Sequence, residues 1–332
     1  MLETRLLHQY LTSTYHTLSE DDISAHHFSI SIPRMATLFP YLLDSMFALS
    51  ALHLASIEAV NRQPWINAAL RYQSQACSGL GKVLSNISPQ HQEPAFMSSV
   101  FIMLFATGLP SISPENRPTD PLSAVLEVRT LITGCAMLFN QINSFDSEGE
   151  LKGWQCFSDR LEDLKKRNLN RYAISFQSMH QVLGIDIFCS DGLLDARMLK
   201  LLELHKKIME SLGRLHTTID KLQGPEKVTY QTTWQLLYRA VEPWPKTGPY
   251  GGPIAWPLFI NEEYLSLLQK GDWLARILFL HYGVCMRLLS HRWYVRDWGC
   301  QLVVATLEPL EEIPSEWVES VAWIRQAVDA DS

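Results

Sequence analysis

The stretch PYLLDSMFALSALHLAS, residues 40–56, decides the fold. It opens on a proline, which the first helical turn tolerates because the missing N–H would be unpaired there anyway. Leu42, Leu43, Met46, Phe47, Leu49 and Leu52, followed by Leu54 and Ala55, wrap far more of the axis than the roughly 100° apolar stripe of a surface helix. Ala48, Ser50, Ala51 and Ser56 keep the same cylinder narrow, so that neighbouring helices can approach closely. A helix without a solvent face needs a large core around it, and this one is read as a buried central helix.

Working outward, helical periodicity recurs along the chain, and no period-two run bounded by turn residues argues for a sheet. The fold class expected is all-α: one multi-helix domain over residues 1–332, with the central helix buried and no sheet. A first helix is predicted from Glu3 to Leu18, with Leu7, Tyr10, Leu11 and Tyr15 at three- and four-residue spacing. Pro64 starts another, with Trp65, Ala69, Tyr72, Ala76, Leu80 and Leu84 along one side. A second helix apolar all round is predicted from Glu93 to Thr107, stopped by Gly108-Leu109-Pro110. The proline-rich loop near 110–121 follows, and Asp120 is placed to cap the next helix. A long amphipathic helix is predicted over 191–222, burying Leu201, Leu202, Ile208, Leu212, Leu215 and Ile219. The second proline-rich stretch, near 243–257, holds Trp244, Tyr250, Ile254 and Trp256 and is read as an ordered loop packed on the core. Helices over 272–291, 293–307 and 315–328 close the chain, the first of them again apolar all round.

Composition sets limits on function. Apolar residues make up 47% of the chain and charged residues 19%, which a large, well-filled core explains. The 28 basic against 35 acidic residues give a net charge of −7, and no basic run exceeds Lys165-Lys166-Arg167, so a nucleic-acid-binding face is not expected. That triplet reads as a solvated helix end, with a localisation signal as the alternative. The six cysteines, Cys77, Cys135, Cys156, Cys189, Cys285 and Cys300, are never closer than 15 residues, so no C-x-x-C metal motif exists and free, reduced thiols are expected. The N-terminal MLETRLLHQY lacks the apolar core of a signal peptide. The run from Phe96 to Leu109 reads as too short to span a bilayer, so no membrane span is expected.

Few side chains suggest chemistry. Asp21-Asp22 with His26-His27 could ligate a metal, but a helix cap followed by surface histidines is the simpler reading. Asp191 and Asp195 sit one turn apart and better fit a helix start than a diphosphate-binding pair. Neither a G-x-S-x-G elbow nor a glycine-rich phosphate loop is present, and Gly251-Gly252 lies among prolines. No metal site, cofactor or catalytic residue is assigned. His281-Tyr282 stands out because a polar pair inside the apolar run LARILFLHYGVCMRLL must find partners or face a cavity. Structural hydrogen bonding is the favoured explanation; the other places Tyr282 and Met286, with Phe101 and Phe105, around an apolar ligand.

Several stretches resemble the regulatory half of the fungal zinc-cluster transcription factors of the sterol uptake control type. They are LLHQYLTSTYHTLS at 6–19, PYLLDSMFALSALHLAS at 40–56, AALRYQSQACSGL at 68–80, LITGCAMLF at 131–139 and the span 271–303 with Tyr282-Gly283 and Trp293 to Gly299. The resemblance implies an all-α domain that forms a homodimer, or a heterodimer with a related factor. It also implies a hydrophobic, sterol-like small molecule held between helices, whose occupancy decides whether the protein, shared between cytoplasm and nucleus, reaches the nucleus. That family places a six-cysteine zinc cluster ahead of the first of these stretches, whereas this sequence starts at Met1, so either the sequence is a fragment or the protein has no DNA-binding module of its own, and no direct nucleic-acid contact is expected. The rival expectation is a secondary-metabolite enzyme of cyclase or isomerase type on the same scaffold, using His281, Tyr282 or Asp191.

Overall fold

A computed structural model describes residues 2–19, 22–113, 115, 120–142, 149–151, 196–244, 252–310 and 312–329. Every regular element among them is helical, and no strand occurs among the described residues. Packing divides the chain into two compact units, Met1–Asp159 with His291–Trp298, and Arg160–Ser290 with Gly299–Ser332. Lys165-Lys166-Arg167, Asp191 and Asp195 lie outside the described residues, as does Asp21.

In the first unit the N-terminal arm runs α1 (Leu2–Gln9), a five-residue π-turn (Tyr10–Thr14) and α2 (Tyr15–Leu18), then α3 (Asp22–His26), a second π-turn (His27–Ser31) and α4 (Ile32–Ala36). The expected first helix is therefore present with a widened turn inside it. The central helix is α5 (Pro40–Ile57), flanked by α6 (Arg62–Leu84) and α7 (Pro89–Ile112) and followed by α8 (Pro121–Gln141). Thirteen of the 18 residues of α5 are buried, as its apolar wrap requires. Its hydroxyls cost little there, because Ser45, Ser50 and Ser56 donate to the carbonyls of Leu42, Met46 and His53 on their own helix. Small residues set the crossings. A Cβ on Gly79 of α6 would meet the Tyr41 Cβ at 2.8 Å, so only glycine lets α6 come this close to α5.

The second strongly apolar helix is longer than its sequence suggests. Pro110 does not stop α7, which runs from Pro89 to Ile112 through both Pro94 and Pro110. Burial outweighs the helix bond each proline removes: Phe96, Phe101 and Phe105 are all nearly or wholly buried. At 24 residues α7 is also long and apolar enough to cross a bilayer by length and composition, as are Pro40–Ile57 and Pro121–Asn140. Protein buries 78% and 72% of the apolar windows of α7 and α5, which accounts for their composition, and 39% of that of α8. Asp120 caps α8 as expected, its carboxylate accepting from the Leu122 and Ser123 N–H groups.

The second unit holds α9 (Ala196–Asp220), α10 (Glu226–Val241), α11 (Gly252–Phe259), α12 (Glu262–Gln269), α13 (Trp273–Met286), α14 (Trp298–Leu307) and α15 (Val318–Asp329). Residues 252–257, expected as loop, open α11 instead, and 291–297, expected in part as helix, form turns. Twelve of the 14 residues of α13 are buried, so this unit has its own central helix. Trp256 of α11 stacks on Tyr282 at 4.5 Å, and the Tyr264 hydroxyl donates to the Ala275 carbonyl at 3.0 Å. Gly283 and Gly299 make the tightest crossing: a Cβ on Gly299 would fall on the Gly283 carbonyl and within 2.9 Å of the Met286 Cβ. The two glycines that carried the family resemblance are thus where α13 and α14 touch backbone to backbone.

Candidate functional site

A cavity of about 630 Å³ opens in the second unit, within the usual size range of small-molecule sites. It lies at the ends of helices, where α9, α10, the start of α13 and the segment 316–323 converge. The floor is built by α9 and α13. His281 is 1% exposed on α13 and Ser211 is 5% exposed on α9. The His281 Nδ1 lies 2.7 Å from the Ile277 carbonyl, so that nitrogen must carry the proton. Nε2, 2.9 Å from the Ser211 Oγ, is then an acceptor, and Ser211 donates to it. Burial, with a smaller push from the Arg214 charge, lowers the His281 pKa to about 4 and outweighs the Ile277 contact. The imidazole is neutral at physiological pH.

Indoles form the walls. Trp323 of α15 tilts over His281 at 5.5 Å, and Trp273 and Trp317 line the same space. The Trp317 indole N–H is buried with no hydrogen-bond partner among the described residues.

Charges on the rim divide into committed and uncommitted groups. Glu226, Glu316 and Glu319 sit in the first turns of α10, of the 3₁₀ turn Ser315–Trp317 and of α15, where helix N-termini favour carboxylates. Asp272 caps α13 by accepting from the Ala275 N–H at 2.9 Å. Lys227 donates to the Asp220 carbonyl that ends α9. Arg214, exposed in the last two turns of α9, pairs with no carboxylate among the described residues.

The residues expected around an apolar ligand are placed differently. Phe101 and Phe105 belong to α7 in the first unit, Tyr282 and Met286 to α13 in the second, and none of the four lines this cavity. Phe101 packs edge-on to Tyr10 at 6.1 Å and against Phe28 at 6.2 Å; Tyr282 is covered by Trp256. Of the expected polar pair only His281 reaches the cavity, and both its nitrogens are already bonded, as the structural reading of that pair anticipates. Burial pushes the Tyr282 phenol far above its ordinary pKa. His26 and His27 are adjacent, with His27 buried and its Nδ1 3.3 Å from the Ser31 Oγ. No group of three or more metal-ligating side chains forms among the described residues. Cys77, Cys135, Cys285 and Cys300 form no disulfide among the described residues.

A second hollow, about 620 Å³, lies in the first unit beside Leu38, Tyr41, Asp44, Val83 and His91. Two of its polar groups are spent on each other: the Tyr41 hydroxyl meets His91 Nδ1 at 3.1 Å. Sequence reasoning missed Ser211, Arg214, Trp317 and Trp323 because it sought a pocket between the most apolar helices, where packing is densest. The available signal was three tryptophans, Trp273, Trp317 and Trp323, on helix ends rich in charge.

A helical core with no strand among the described residues, and a cavity floored by the bonded Ser211–His281 pair, places the chain among all-helical proteins. Residues 5–224 match the fungal specific transcription factor domain, and the chain belongs to that family. The match takes in most of α1 and all of α2 to α9, including the helix that carries Ser211 and Arg214, and points to a role in the nucleus. A search of curated proteins finds no match.

Proposed function

We propose that this fungal transcription factor domain is ligand-responsive, and that a small molecule held in the cavity of the second unit sets its activity. The observation that carries the reading is the cavity itself, about 630 Å³ within otherwise dense helical packing, walled by indoles and floored by the bonded Ser211–His281 pair. An occupant that contacts α9, α10, α13 and α15 together favours whichever arrangement of those helices it fits, and a ligand shifts an equilibrium only through such differential contacts. The chain's net charge of −7 leaves promoter contact to a different module or chain, and traffic between cytoplasm and nucleus is the output proposed for occupancy.

The test is a reporter gene driven by the chain fused to a heterologous DNA-binding module. Thr218 lines the cavity from the exposed side of α9, so Thr218→Trp fills it without entering the core. The variant is expected to hold the reporter at one level in conditions that move the wild-type output. Identical responses from both proteins contradict the proposal.

A further inference from the structure

The cavity's own chemistry narrows its occupant, given that it is a ligand site at all. Three uncommitted groups stand on or beside its floor. Ser211 spends its proton on His281, so its oxygen retains lone pairs that can accept from a ligand O–H or N–H. Arg214 lies one helical turn further along the same helix, which puts the two side chains on one face. Its guanidinium has no carboxylate partner among the described residues, although four acidic side chains line the same cavity. Those acids sit at helix N-termini or in a cap, and none of the four forms an ion pair with Arg214, whose guanidinium is left available to a ligand. Trp317 adds a buried indole N–H that lacks an acceptor among the described residues.

Shape supplies the rest. Trp323 and Trp273 line the cavity, and Arg276 already covers Trp273 at 5.5 Å, which reduces the room for a cationic ligand at that ring. The neutral His281 under Trp323 extends the apolar, aromatic surface instead of adding a second charge.

We infer that the cavity takes a planar aromatic acid: a fused or extended ring between the indoles, an anionic group on Arg214, and a hydrogen-bond donor at the far end on Ser211. This rests on the ligand-responsive reading above and goes beyond it by excluding a neutral, purely hydrocarbon-like ring system as the preferred occupant.

Calorimetric titration of the purified full chain with 6-hydroxy-2-naphthoate tests it, beside 2-naphthoate, 2-naphthylmethylamine and cholesterol in detergent micelles. The hydroxy acid is expected to bind one to one. Arg214→Ala, at an exposed position that leaves the fold intact, weakens it about tenfold, in keeping with loss of a charge-assisted hydrogen bond. Ser211→Ala is expected to erase the preference for the hydroxy acid over 2-naphthoate, and Thr218→Trp to abolish binding. Tighter binding of the amine than of the acid, or an Arg214→Ala protein that binds the acid as the wild type does, overturns the inference. So does cholesterol binding that Thr218→Trp blocks while the acids fail to bind; that result leaves the ligand-responsive reading standing. If no probe binds, the assigned chemistry is wrong, and the reporter response of Thr218→Trp decides separately whether the ligand-responsive reading falls too.

Discussion

The two units each hold a buried histidine on a central apolar helix, and the two histidines are used in opposite ways. His53 of α5 has its Nδ1 2.9 Å from the Thr14 Oγ1 and 3.4 Å from the Gln9 Nε2, and Trp293 stacks on its ring at 4.9 Å, so it is sealed into packed protein. His281 of α13 carries its proton on Nδ1, accepts at Nε2 from Ser211, and borders a cavity. Burial lowers both pKa values to about 4. The chemistry of a buried histidine therefore does not mark a site; what adjoins it does. Around His53 the neighbouring polar groups are closed off by packing, whereas His281 and Ser211 are left facing space.

The comparison can be broken most severely at the backbone crossing of the second unit. Gly299→Val would drive a side chain into the Gly283 carbonyl, at a cost of about 4 kcal/mol or more, the range reserved for failures of this kind. Thermal unfolding followed by circular dichroism is expected to show the second unit's transition lost and the first retained. A single transition shifted as a whole would mean that the two units unfold as one.

Acid separates the units next. Folded-state histidine pKa values near 4, against 6.5 when unfolded, mean that the unfolded chain binds more protons between those values. Stability is thus full above pH 6.5 and falls as pH drops toward 4, by up to about 3 kcal/mol for each histidine. The second unit holds two such groups, His205 and His281, and the first holds His53. Burial also raises the Asp44 and Glu93 carboxyls of the first unit, which favours its folded form in acid. Urea melts at stepped pH are expected to show the second unit losing stability more steeply, and parallel loss would erase the distinction drawn here.

A core truncation of middle size comes third. Leu42→Ala on α5, at a fully buried position, is expected to cost about 3 kcal/mol in urea melts. Thr218→Trp, which fills the cavity, is expected to leave stability unchanged or raise it. Loss on filling would show that the second unit is as tightly packed there as the first. The smallest effect expected is from Asn261→Ala, which removes the cap that accepts from the Tyr264 N–H at 2.9 Å and costs about 1 kcal/mol.

The same contrast explains what the sequence could show. Apolar wrap identified α5, α7 and α13 as buried helices, because burial on every side leaves a compositional trace that needs no partner to be named. Asp120 was legible as a cap, and the Gly283 and Gly299 crossing was visible as part of the resemblance, although not as a contact. The π-turns at Tyr10–Thr14 and His27–Ser31 left no signal, since a widened turn keeps helical composition. Pro110 misled because propensity is local and burial is not. Of the site, His281 was legible as a polar group that needed a partner, whereas Ser211, Arg214, Trp317 and Trp323 come together only in three dimensions, Ser211 lying 70 residues and Trp323 42 residues from His281.

The central claim is that the space above the Ser211–His281 pair is occupied in the working protein. Native mass spectrometry of the chain purified from a fungal host measures this most directly, read beside Thr218→Trp prepared in the same way. The account predicts a small-molecule mass on the wild type, released on collisional activation and absent from the variant. The same adduct on both proteins would contradict it.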